Sequence, residues 1–482
     1  MTRHVDRHRL LIEMLGSGSA SDMESGTLVV VPSLTFPESE LRKIVGIQFY
    51  EERLLFLLLL LRRPELHVVF VTSVRVEEPI VDYYLAFVPP EARAGDRLWL
   101  LALWDPQPRA LTEKLLERPD SLDRLRQLSG GDACLLTFNV TELEGRLRDE
   151  IGAPLYGCPP DLAHLGSKSV ARRVAREAGV AVPPGAEDLR SLHEVEKALD
   201  ELRTNAPAAR SAVVKLNEGF SGQGNAIVSL TDNGPVTGRP TVFCAEEESW
   251  PSFAAKLAEQ GGVAEELMRV PGMVSPSVQM RIAPDATFEV VSTHDQILGG
   301  PDDQVYLGCR FPADARYRAT IQDAGRRVAR VLAERGVIGS FGIDFVIGPE
   351  DGAVPYLTEI NLRMGGTTHP FLMTEFVTGG TYDEATGELV VDGRPKHYVA
   401  TDNLKSESYV GLAPEALIGA IRSGGLAFDA ATKTGVLLHL LGALKKHGKV
   451  GMTCIADSPE EADALYGMAV EVLEGLGTRS AT

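Results

Sequence analysis

Two stretches of the sequence, Gly342-Ile-Asp-Phe-Val-Ile347 and Glu359-Ile-Asn-Leu-Arg363, decide the fold of the segment that contains them. Each shows the apolar run or the alternation that is typical of a β-strand, and the glycine- and proline-containing segment 348–352 between them predicts a turn. A hairpin that is symmetric about this turn places Asp344 opposite Glu359 and Val346 opposite Leu357.

The predicted hairpin brings two carboxylates together on one face, where they repel each other. Asn361 adds an amide oxygen to the same face, two residues after Glu359. Such hard oxygen ligands suit a divalent cation, and magnesium held by few protein oxygens takes its other ligands from water and substrate phosphates. The alternative is an ordinary half-buried strand whose charges face water. The opposed Asp344 and the continuation Met364-Gly-Gly-Thr-Thr368, neither of which a solvated strand requires, favour nucleotide-dependent chemistry.

The composition is typical of a folded protein with several domains. At 482 residues the chain predicts about three domains, and its net charge of -19 argues against general nucleic-acid binding, which requires a basic surface. The longest apolar run, Leu54 to Leu61, is far shorter than the roughly 20 residues of a membrane span and predicts a buried helix. No signal peptide is evident, and the five cysteines include no Cys-x-x-Cys pair. These features predict free thiols in a reducing cytoplasm and no membrane partner.

The order of apolar and helical patterns divides the chain into three predicted domains. Apolar runs separated by helical stretches predict an open α/β domain over residues 1–158, ended by Pro159-Pro160. Residues 159–372 combine short strands and helices with the hairpin, and residues 373–482 form a mixed tail of helices and a strand. The predicted fold class is therefore α/β, with α+β subdomains in the middle of the chain. Within these domains the patterns predict helices over residues 40–63 and 188–203 and a strand over residues 263–268.

A lysine followed by a glycine-rich loop predicts a phosphate site. Lys215 lies near the end of the apolar strand 212–216, and the loop 217–224 behind it contains three glycines. Glycine lets backbone amides approach phosphate oxygens closely, while a lysine on a strand supplies a point charge. Lys168, at the predicted start of a helix, opposes the helix dipole and invites an anionic partner. The alternatives are a hairpin turn after an exposed lysine, and a solvated lysine at the helix start.

Four motifs in one order resemble those of the ATP-grasp carboxylate-amine ligases. They are Lys168, Lys215 with its glycine loop, Ala264-Glu-Glu-Leu-Met268, and Asp344 with the strand Glu359-x-Asn-x-Arg363. The resemblance implies that two α+β subdomains clamp ATP between them, and that residues 265–268 form the strand that contacts adenine.

The resemblance also implies a role for each matching position. The residues implied to bind ATP are Lys168, Lys215, Ser221, Gly222, Gln223, Gly224, Glu265, Glu266 and Met268. The residues implied to hold magnesium are Asp344, Glu359 and Asn361. We also expect the positive charges of Arg310 and Arg363 to stabilise an acyl phosphate or a tetrahedral oxyanion during catalysis. For Arg310, an ordinary surface arginine is the alternative.

The whole chain is similar to the pheganomycin-type peptide ligases. The motifs concerned are Pro32-Ser-Leu-Thr35, His294-Asp-Gln-Ile-Leu298 and Asn361-Leu-Arg-Met-Gly-Gly-Thr-Thr-His-Pro370. This resemblance implies an N-terminal open α/β pre-ATP-grasp domain, a central ATP-grasp domain and a small α/β C-terminal domain. It also implies an enzyme of natural-product biosynthesis that uses ATP and Mg2+ to join an amino-acid carboxylate to the N-terminal amine of a peptide.

Ligation through an acyl phosphate requires positive charge around the phosphoryl group and no covalent enzyme nucleophile, which agrees with the residues present. Two alternatives stay open. One is another ATP-grasp carboxylate ligase, a carboxylase or a phosphotransferase that uses the same ATP site. The other is a nucleotide-gated binding protein without turnover. We expect the N-terminal domain and the segment after about residue 371 to shape the substrate pockets and to offer a contact for a homodimer.

Overall fold

The computed structural model describes residues 26–93, 95–219, 224–232, 234–245, 247–269, 271–300, 305–350 and 352–480. The first of its three sheets contains β1 (Gly26–Val31), β2 (Leu66–Thr72), β3 (Leu98–Ala102), β4 (Ala133–Thr137) and β5 (Leu155–Tyr156). These strands are parallel and lie in the order β3-β2-β1-β4-β5. The open parallel sheet predicted for the N-terminal domain is therefore confirmed.

The second sheet is antiparallel, and it borders one cavity together with the third sheet. Its strands are β6 (Gly185–Leu189), β7 (Ser211–Leu216), β8 (Asn225–Ser229), β9 (Thr241–Phe243) and β10 (Gly262–Glu266). They lie in the order β6-β10-β7-β8-β9, so that β7 and β8 form a hairpin around the predicted glycine loop.

The third sheet is also antiparallel and contains ten strands. They are β11 (Pro276–Ile282), β12 (Phe288–Gly299), β13 (Val305–Phe311), β14 (Gly339–Val346), β15 (Tyr356–Asn361), β16 (Thr381–Asp383), β17 (Glu388–Val391), β18 (Arg394–Lys405), β19 (Gly435–His439) and β20 (Lys449–Ala456). The main path is β15-β14-β11-β12-β13-β18-β17-β16, and β20 joins β18 to β19. The sheet therefore continues across the boundary expected near residue 372.

Helices cover the sheets and connect their strands. The α-helices are α1 (Glu38–Leu41), α2 (Glu78–Leu85), α3 (Leu111–Leu116), α4 (Pro119–Ser129), α5 (Glu142–Ile151), α6 (Lys168–Glu177), α7 (Leu192–Asn205), α8 (Trp250–Gln260), α9 (Ala315–Glu334), α10 (Thr368–Thr378), α11 (Pro414–Ser423), α12 (Gly442–His447) and α13 (Pro459–Ser480). The 3₁₀ helices are Ile47–Arg62, Pro90–Ala92, Pro160–Gly166, Val236–Gly238 and Glu407–Tyr409.

The two faces of the third sheet have different partners. Asp344, Ser277 and His294 occupy directly paired positions on neighbouring strands, so their side chains share one face, which we call the front face. Phe371 of α10 packs beside His294 on this face, with ring centroids 6.5 Å apart. Val278 points to the opposite back face, where it joins Ile321 of α9 in a hydrophobic cluster.

One hydrophobic cluster joins the N-terminal sheet to the C-terminal strands. The apolar run Leu54 to Leu61 lies at its centre, and each of these residues is at most 1% exposed. Phe56 contacts Phe376 of α10, with ring centroids 5.7 Å apart, and Leu438 of β19 belongs to the same cluster. The prediction that the run is buried is therefore confirmed, and its burial fixes the first sheet against the last part of the chain.

Three predicted elements differ from the structure. The segment predicted as a helix over residues 40–63 divides into α1 and the long 3₁₀ helix Ile47–Arg62. The helix predicted from residue 188 begins only at Leu192, because Gly185–Leu189 pair with β10 as an edge strand. The strand predicted over residues 263–268 ends at Glu266, so that Met268 lies in the following loop. For the helix that begins at Leu192, the pairing of the preceding strand with β10 decides the boundary, and the local pattern does not contain that contact.

The described residues include no helix with both the length and the apolar character needed to cross a bilayer. None of the five cysteines, all of which lie in the described ranges, forms a disulfide, as their spacing predicts.

The pairing of β13 with β18 predicts the effect of a substitution. A Cβ on Gly308 would lie only 2.3 Å from the carbonyl oxygen of Ala400, so Gly308→Ala should force the two strands apart. We expect the free energy of unfolding in urea to fall by about 1–3 kcal/mol. Gly419→Ala is the control, because Gly419 lies in α11 with open space around its Cβ position, and alanine there should be neutral or stabilising. Equal stability of the two variants would contradict this account of the strand pairing.

Candidate active site

The hairpin of β14 and β15 has the predicted pairing at its functional end. Asp344 lies directly opposite Glu359, as predicted. The predicted pairing of Val346 with Leu357 is wrong, because the register shifts after Asp344 and Val346 faces Tyr356. Thr358 is the extra residue of this bulge, and its hydroxyl donates to the carbonyl oxygen of Asp344 at 3.1 Å. The bulge therefore lies beside the two carboxylates.

The carboxylate of Asp344 accepts one hydrogen bond on each oxygen. Gln296 of β12 donates from Nε2 to Oδ1 at 2.7 Å, and Asn361 donates from Nδ2 to Oδ2 at 3.0 Å. Burial and the neighbouring charge of Glu359 raise the pKa of Asp344 to about 7. The two amide donors hold this carboxyl group in one orientation.

Glu359 forms an ion pair with Lys168, the first residue of α6. The Nζ atom of Lys168 lies 2.7 Å from Oε1 of Glu359 and also donates to the carbonyl oxygen of Gly219 at 3.3 Å. Burial favours the neutral form of Glu359, but the charges of Lys168 and Arg363 outweigh it and lower the pKa of Glu359 below its ordinary value. The two opposed carboxyl groups therefore differ in acidity, and Glu359 is the one that stays ionised.

Arg363 follows the hairpin and connects it to the N-terminal sheet. Its guanidinium donates to Oδ1 of Asn361 at 2.9 Å and to the carbonyl oxygen of Met364 at 3.0 Å. The same group lies 5.9 Å from the ring centre of Phe36, in the loop after β1. Burial lowers the pKa of Arg363, and the charges of Glu359 and Asp344 oppose that shift.

Lys215 belongs to a second ion-pair group, on β7 and β10. Its Nζ atom lies 2.6 Å from Oε1 of Glu265, whose Oε2 accepts from Arg172 of α6 at 2.5 Å. All three side chains are buried. Glu265 was predicted to contact a nucleotide, but its carboxylate is held between these two cations. Its neighbour Glu266 has a pKa raised by burial.

The glycine loop closes the β7–β8 hairpin near Lys168. Gly219 and Gly224 approach each other so closely that a Cβ on Gly224 would lie 2.9 Å from Cα of Gly219, which explains why glycine is needed here. Predicted loop residues Ser221, Gly222 and Gln223 lie outside the described residues.

A cavity of about 1050 Å³ lies between the second sheet and the third, and the predicted residues of both sheets line it. Lys215 and the chain from Glu265 to Met268 line it on one side, while Asp344 and Glu359 line it on the other. The volume exceeds that of a typical site for a drug-sized ligand. Lys168, Lys215 and the hairpin pair Asp344 and Glu359 are thus brought to one cavity from three separate parts of the chain.

Arg310 lies at the edge of the same cavity but points away from the hairpin carboxylates. It pairs across β13 and β12 with Asp295, the neighbour of Gln296. Because successive side chains alternate faces and Gln296 reaches Asp344 on the front face, Arg310 points to the back face. There it forms an exposed ion pair with Asp463 of α13, with a shortest distance of 2.9 Å. The structure therefore separates Arg310 from Arg363, which the sequence had grouped together.

The oxygen donors of the hairpin suit a divalent cation. Asp344 and Glu359 supply two opposed carboxyl groups, and a cation bound between them would offset their mutual repulsion. The amide oxygen of Asn361 is 2.9 Å from the guanidinium of Arg363, so Asn361 would add a third oxygen by turning away from that contact. Hard oxygen ligands in small number match the preference of magnesium.

Two contributors to the site were missed from the sequence. Gln296 was part of a longer motif but had no predicted role of its own. Arg172 was not predicted to belong to the site. The alternation of β12, which puts Gln296 and His294 on one face, is a signal that could have found Gln296. No local pattern links Arg172 with Glu265, 93 positions away, because their contact depends on how α6 packs against the second sheet.

The raised pKa of Asp344 predicts a pH effect on stability. The folded protein keeps a proton on Asp344 up to about pH 7, whereas an unfolded chain loses it near the ordinary value of 3.8. The stability contributed by this proton is therefore present at low pH and is lost as the pH rises through about 7. Asp344→Asn cannot titrate at this position. The unfolding free energy of the variant minus that of the original chain, measured in urea, should therefore increase between about pH 5 and about pH 8. A difference that stays constant over this range would contradict the assignment, and the exposed Asp323→Asn serves as the control.

Comparisons with known proteins agree with this geometry. Residues 160–233 and 240–384 match the family model described as "IQCH-like, ATP-grasp", and residues 416–469 match the "PGM1 C-terminal domain". The chain is 35% identical over 464 residues to L-propargylglycine--L-glutamate ligase of Streptantibioticus cattleyicolor. The alignment covers 93% of this chain and 94% of that protein.

Solved structures share the fold. A biotin carboxylase of Campylobacter jejuni in complex with β,γ-ATP has a TM-score of 0.59 at 13% identity, covering 94% of each chain. The biotin carboxylase domain of Hydrogenobacter thermophilus 2-oxoglutarate carboxylase, with the magnesium salt of ADP, has a TM-score of 0.57 at 12% identity. It covers 93% of this chain and 90% of that one. The chain therefore belongs to the ATP-grasp ligases, among the pheganomycin-type peptide ligases.

Proposed function

We propose that this enzyme activates an amino-acid carboxylate as an acyl phosphate with ATP and joins it to the amine of a second substrate. The observation that supports this best is the meeting of Lys168, Lys215 and the opposed pair Asp344 and Glu359 at one cavity between two antiparallel sheets. The ligase relative, named for two amino acids, supports an amino acid as one of the substrates.

Residues from both sheets would hold ATP. Lys168 and Lys215 supply positive charge for the phosphates, because both ammonium groups line the cavity. The adenine would contact the backbone from Glu266 to Met268, since the carboxylate of Glu265 is already held by Lys215 and Arg172. The residues proposed to bind ATP are Lys168, Lys215, Ser221, Gly222, Gln223, Gly224, Glu265, Glu266 and Met268. Of these, Glu265 would act by holding Lys215 in its ion pair.

The residues proposed to hold Mg2+ are Asp344, Glu359 and Asn361. A bound magnesium ion would neutralise phosphate charge and fix the geometry of phosphoryl transfer. Gln296 would act through Asp344, whose carboxylate it holds at 2.7 Å.

The proposed reaction has two steps. An oxygen of the donor carboxylate attacks the terminal phosphorus of ATP, so that a new P–O bond forms while the bond to ADP breaks. The amine of the acceptor then attacks the acyl carbon, loses a proton and displaces phosphate. Lys168, Lys215 and Arg363 would stabilise the negative charge on the phosphoryl group and the tetrahedral intermediate. No covalent bond to the protein is required.

The acceptor, the domain boundaries and the assembly are further parts of the proposal. The acceptor amine is proposed to be the N-terminal amine of a peptide. The enzyme is proposed to act in the cytoplasm, in natural-product biosynthesis. The proposed domains are residues 1–158, 159–372 and 373–482, and the proposed assembly is a homodimer.

Substitution of Glu359 tests the nucleotide site. Glu359→Ala should abolish ADP release in the presence of ATP, magnesium, pooled amino acids and a short peptide, because a carboxylate proposed to hold the metal is lost. Thermal unfolding should stay cooperative. Glu177→Ala is the control, since Glu177 forms only an exposed pair with Arg335. EDTA should abolish ADP release in the same way, and substantial turnover of Glu359→Ala would refute the metal assignment.

The role of Arg310 can be separated from its ion pair. If Arg310 is catalytic, Arg310→Ala should lower kcat at least about tenfold, while Asp463→Ala should not. Both substitutions should change stability by at most about 1 kcal/mol, because the pair is exposed. Equal activities of the two variants would show that Arg310 contacts α13 and takes no part in the chemistry. The position of Arg310 on the back face favours this outcome.

A further inference from the structure

A second group of buried charged side chains lies between the N-terminal domain and the C-terminal strands. Arg53 comes from the 3₁₀ helix Ile47–Arg62, Asp402 from β18 and Lys449 from β20. These three residues are between 2% and 8% exposed. Arg53 donates to Asp402 through its NH2 group. We call Arg53, Asp402 and Lys449, with Tyr50 and Asn403, the interdomain cluster.

The interdomain cluster contains two cations and one carboxylate. Among the described residues, the hydrogen-bond partners of the Lys449 ammonium are two neutral oxygens, the hydroxyl of Tyr50 and Oδ1 of Asn403, the latter at 2.9 Å. Burial lowers the pKa of Lys449 to about 8. A buried charge without an ionic partner is costly, and a second carboxylate would offset that cost.

The cluster also presents a hydrogen-bond donor that is not used. Nε of Arg53 has no partner within the described part of the chain. Arg53 and Lys449 both lie over the Tyr50 ring, 4.2 and 4.8 Å from its centre, so that the two cations share one aromatic neighbour.

The cluster lies next to the candidate active site. Arg53 is 5.9 Å from the ring centre of Phe138, whose carbonyl oxygen accepts from the backbone N–H of Met364 at 3.1 Å. Met364 directly follows Arg363 in the chain. A small molecule that contacts both Arg53 and Arg363 would therefore span from the cluster to the site of acyl transfer.

We propose that Arg53 and Lys449 bind a carboxylate of the amine substrate and direct its amine toward Arg363. The ligand class is an α-amino acid or a short peptide with a free carboxylate. This inference rests on the proposed ligase function, because it assigns the acceptor of that reaction. Asp402 would hold Arg53 in place, and the incoming carboxylate would use Nε of Arg53 and the ammonium of Lys449, in charge-assisted hydrogen bonds.

Two acceptors distinguish binding of the carboxylate from the chemistry of activation. Hydroxylamine traps an acyl phosphate as a hydroxamate and has no carboxylate to be recognised. The second acceptor is the α-amino acid that gives the most product in the pooled assay, compared with its own α-carboxamide. The original chain should prefer the amino acid to the carboxamide by about tenfold or more, the usual effect of a charge-assisted contact.

Lys449→Met should lower kcat/KM for the amino acid at least about tenfold more than it lowers hydroxamate formation. The preference for the carboxylate over the carboxamide should disappear with it. Lys449→Arg keeps the charge and should restore the preference, which a role in packing alone would not predict. Lys396→Met is the matched control. Lys396 is also a buried lysine of the same sheet, but it pairs with Asp457. The Lys396→Met variant should prefer the amino acid to the carboxamide as strongly as the original chain does.

The outcomes separate the two proposals. If Lys449→Met lowers both reactions equally, or keeps the preference for the carboxylate, the acceptor assignment is wrong even though hydroxamate forms. If the original chain forms neither hydroxamate nor amide with any amino acid, the ligase function itself fails. A circular dichroism spectrum like that of the original chain establishes that Lys449→Met folds, and Lys449→Arg supplies the test if it does not.

Discussion

The site depends on two carboxylates that face each other across a strand pair. The pairing of Asp344 with Glu359 would be repulsive if nothing compensated it. Compensation comes from Lys168 at the start of α6 and from the amides of Gln296 and Asn361. Each of these partners belongs to a different element, so the positions of α6 and β12 are fixed by the same charges that form the site.

The continuous third sheet connects this site to the last part of the chain. β12 carries Gln296 toward the hairpin, and β13 and β18 extend the same sheet to Asp402 and β20. The 3₁₀ helix Ile47–Arg62 packs the N-terminal domain against these later strands through one hydrophobic cluster. The two ends of the chain thus form a common support beside Arg363, where a second substrate would have to bind.

The sequence was sufficient for the contacts that follow from alternation along a strand. Alternation predicted that Asp344 faces Glu359, and the resemblance to the ATP-grasp ligases implied that Lys215 and Lys168 belong with them. The sequence did not predict the bulge at Thr358, because one extra residue in a strand leaves the polar and apolar pattern of its neighbours unchanged. Nor did it predict that Glu265 is an ion-pair partner of Lys215, since that contact arises from the antiparallel pairing of β7 with β10 across 50 residues of chain.

The partners of the two lysines explain how a phosphate can enter without leaving a buried charge alone. Lys215 shares Glu265 with Arg172, so that if a phosphate takes Lys215, Glu265 still keeps a cation. Lys168 is paired with Glu359, which belongs to the proposed metal site; within the described ranges, Glu359 forms no ion pair with another lysine. Arrival of a metal with the phosphates would then replace the charge that Lys168 withdraws. A buried charge that has lost its partner is far more costly than one whose partner has been replaced by another cation. Binding of the nucleotide and of its metal should therefore be coupled at Glu359.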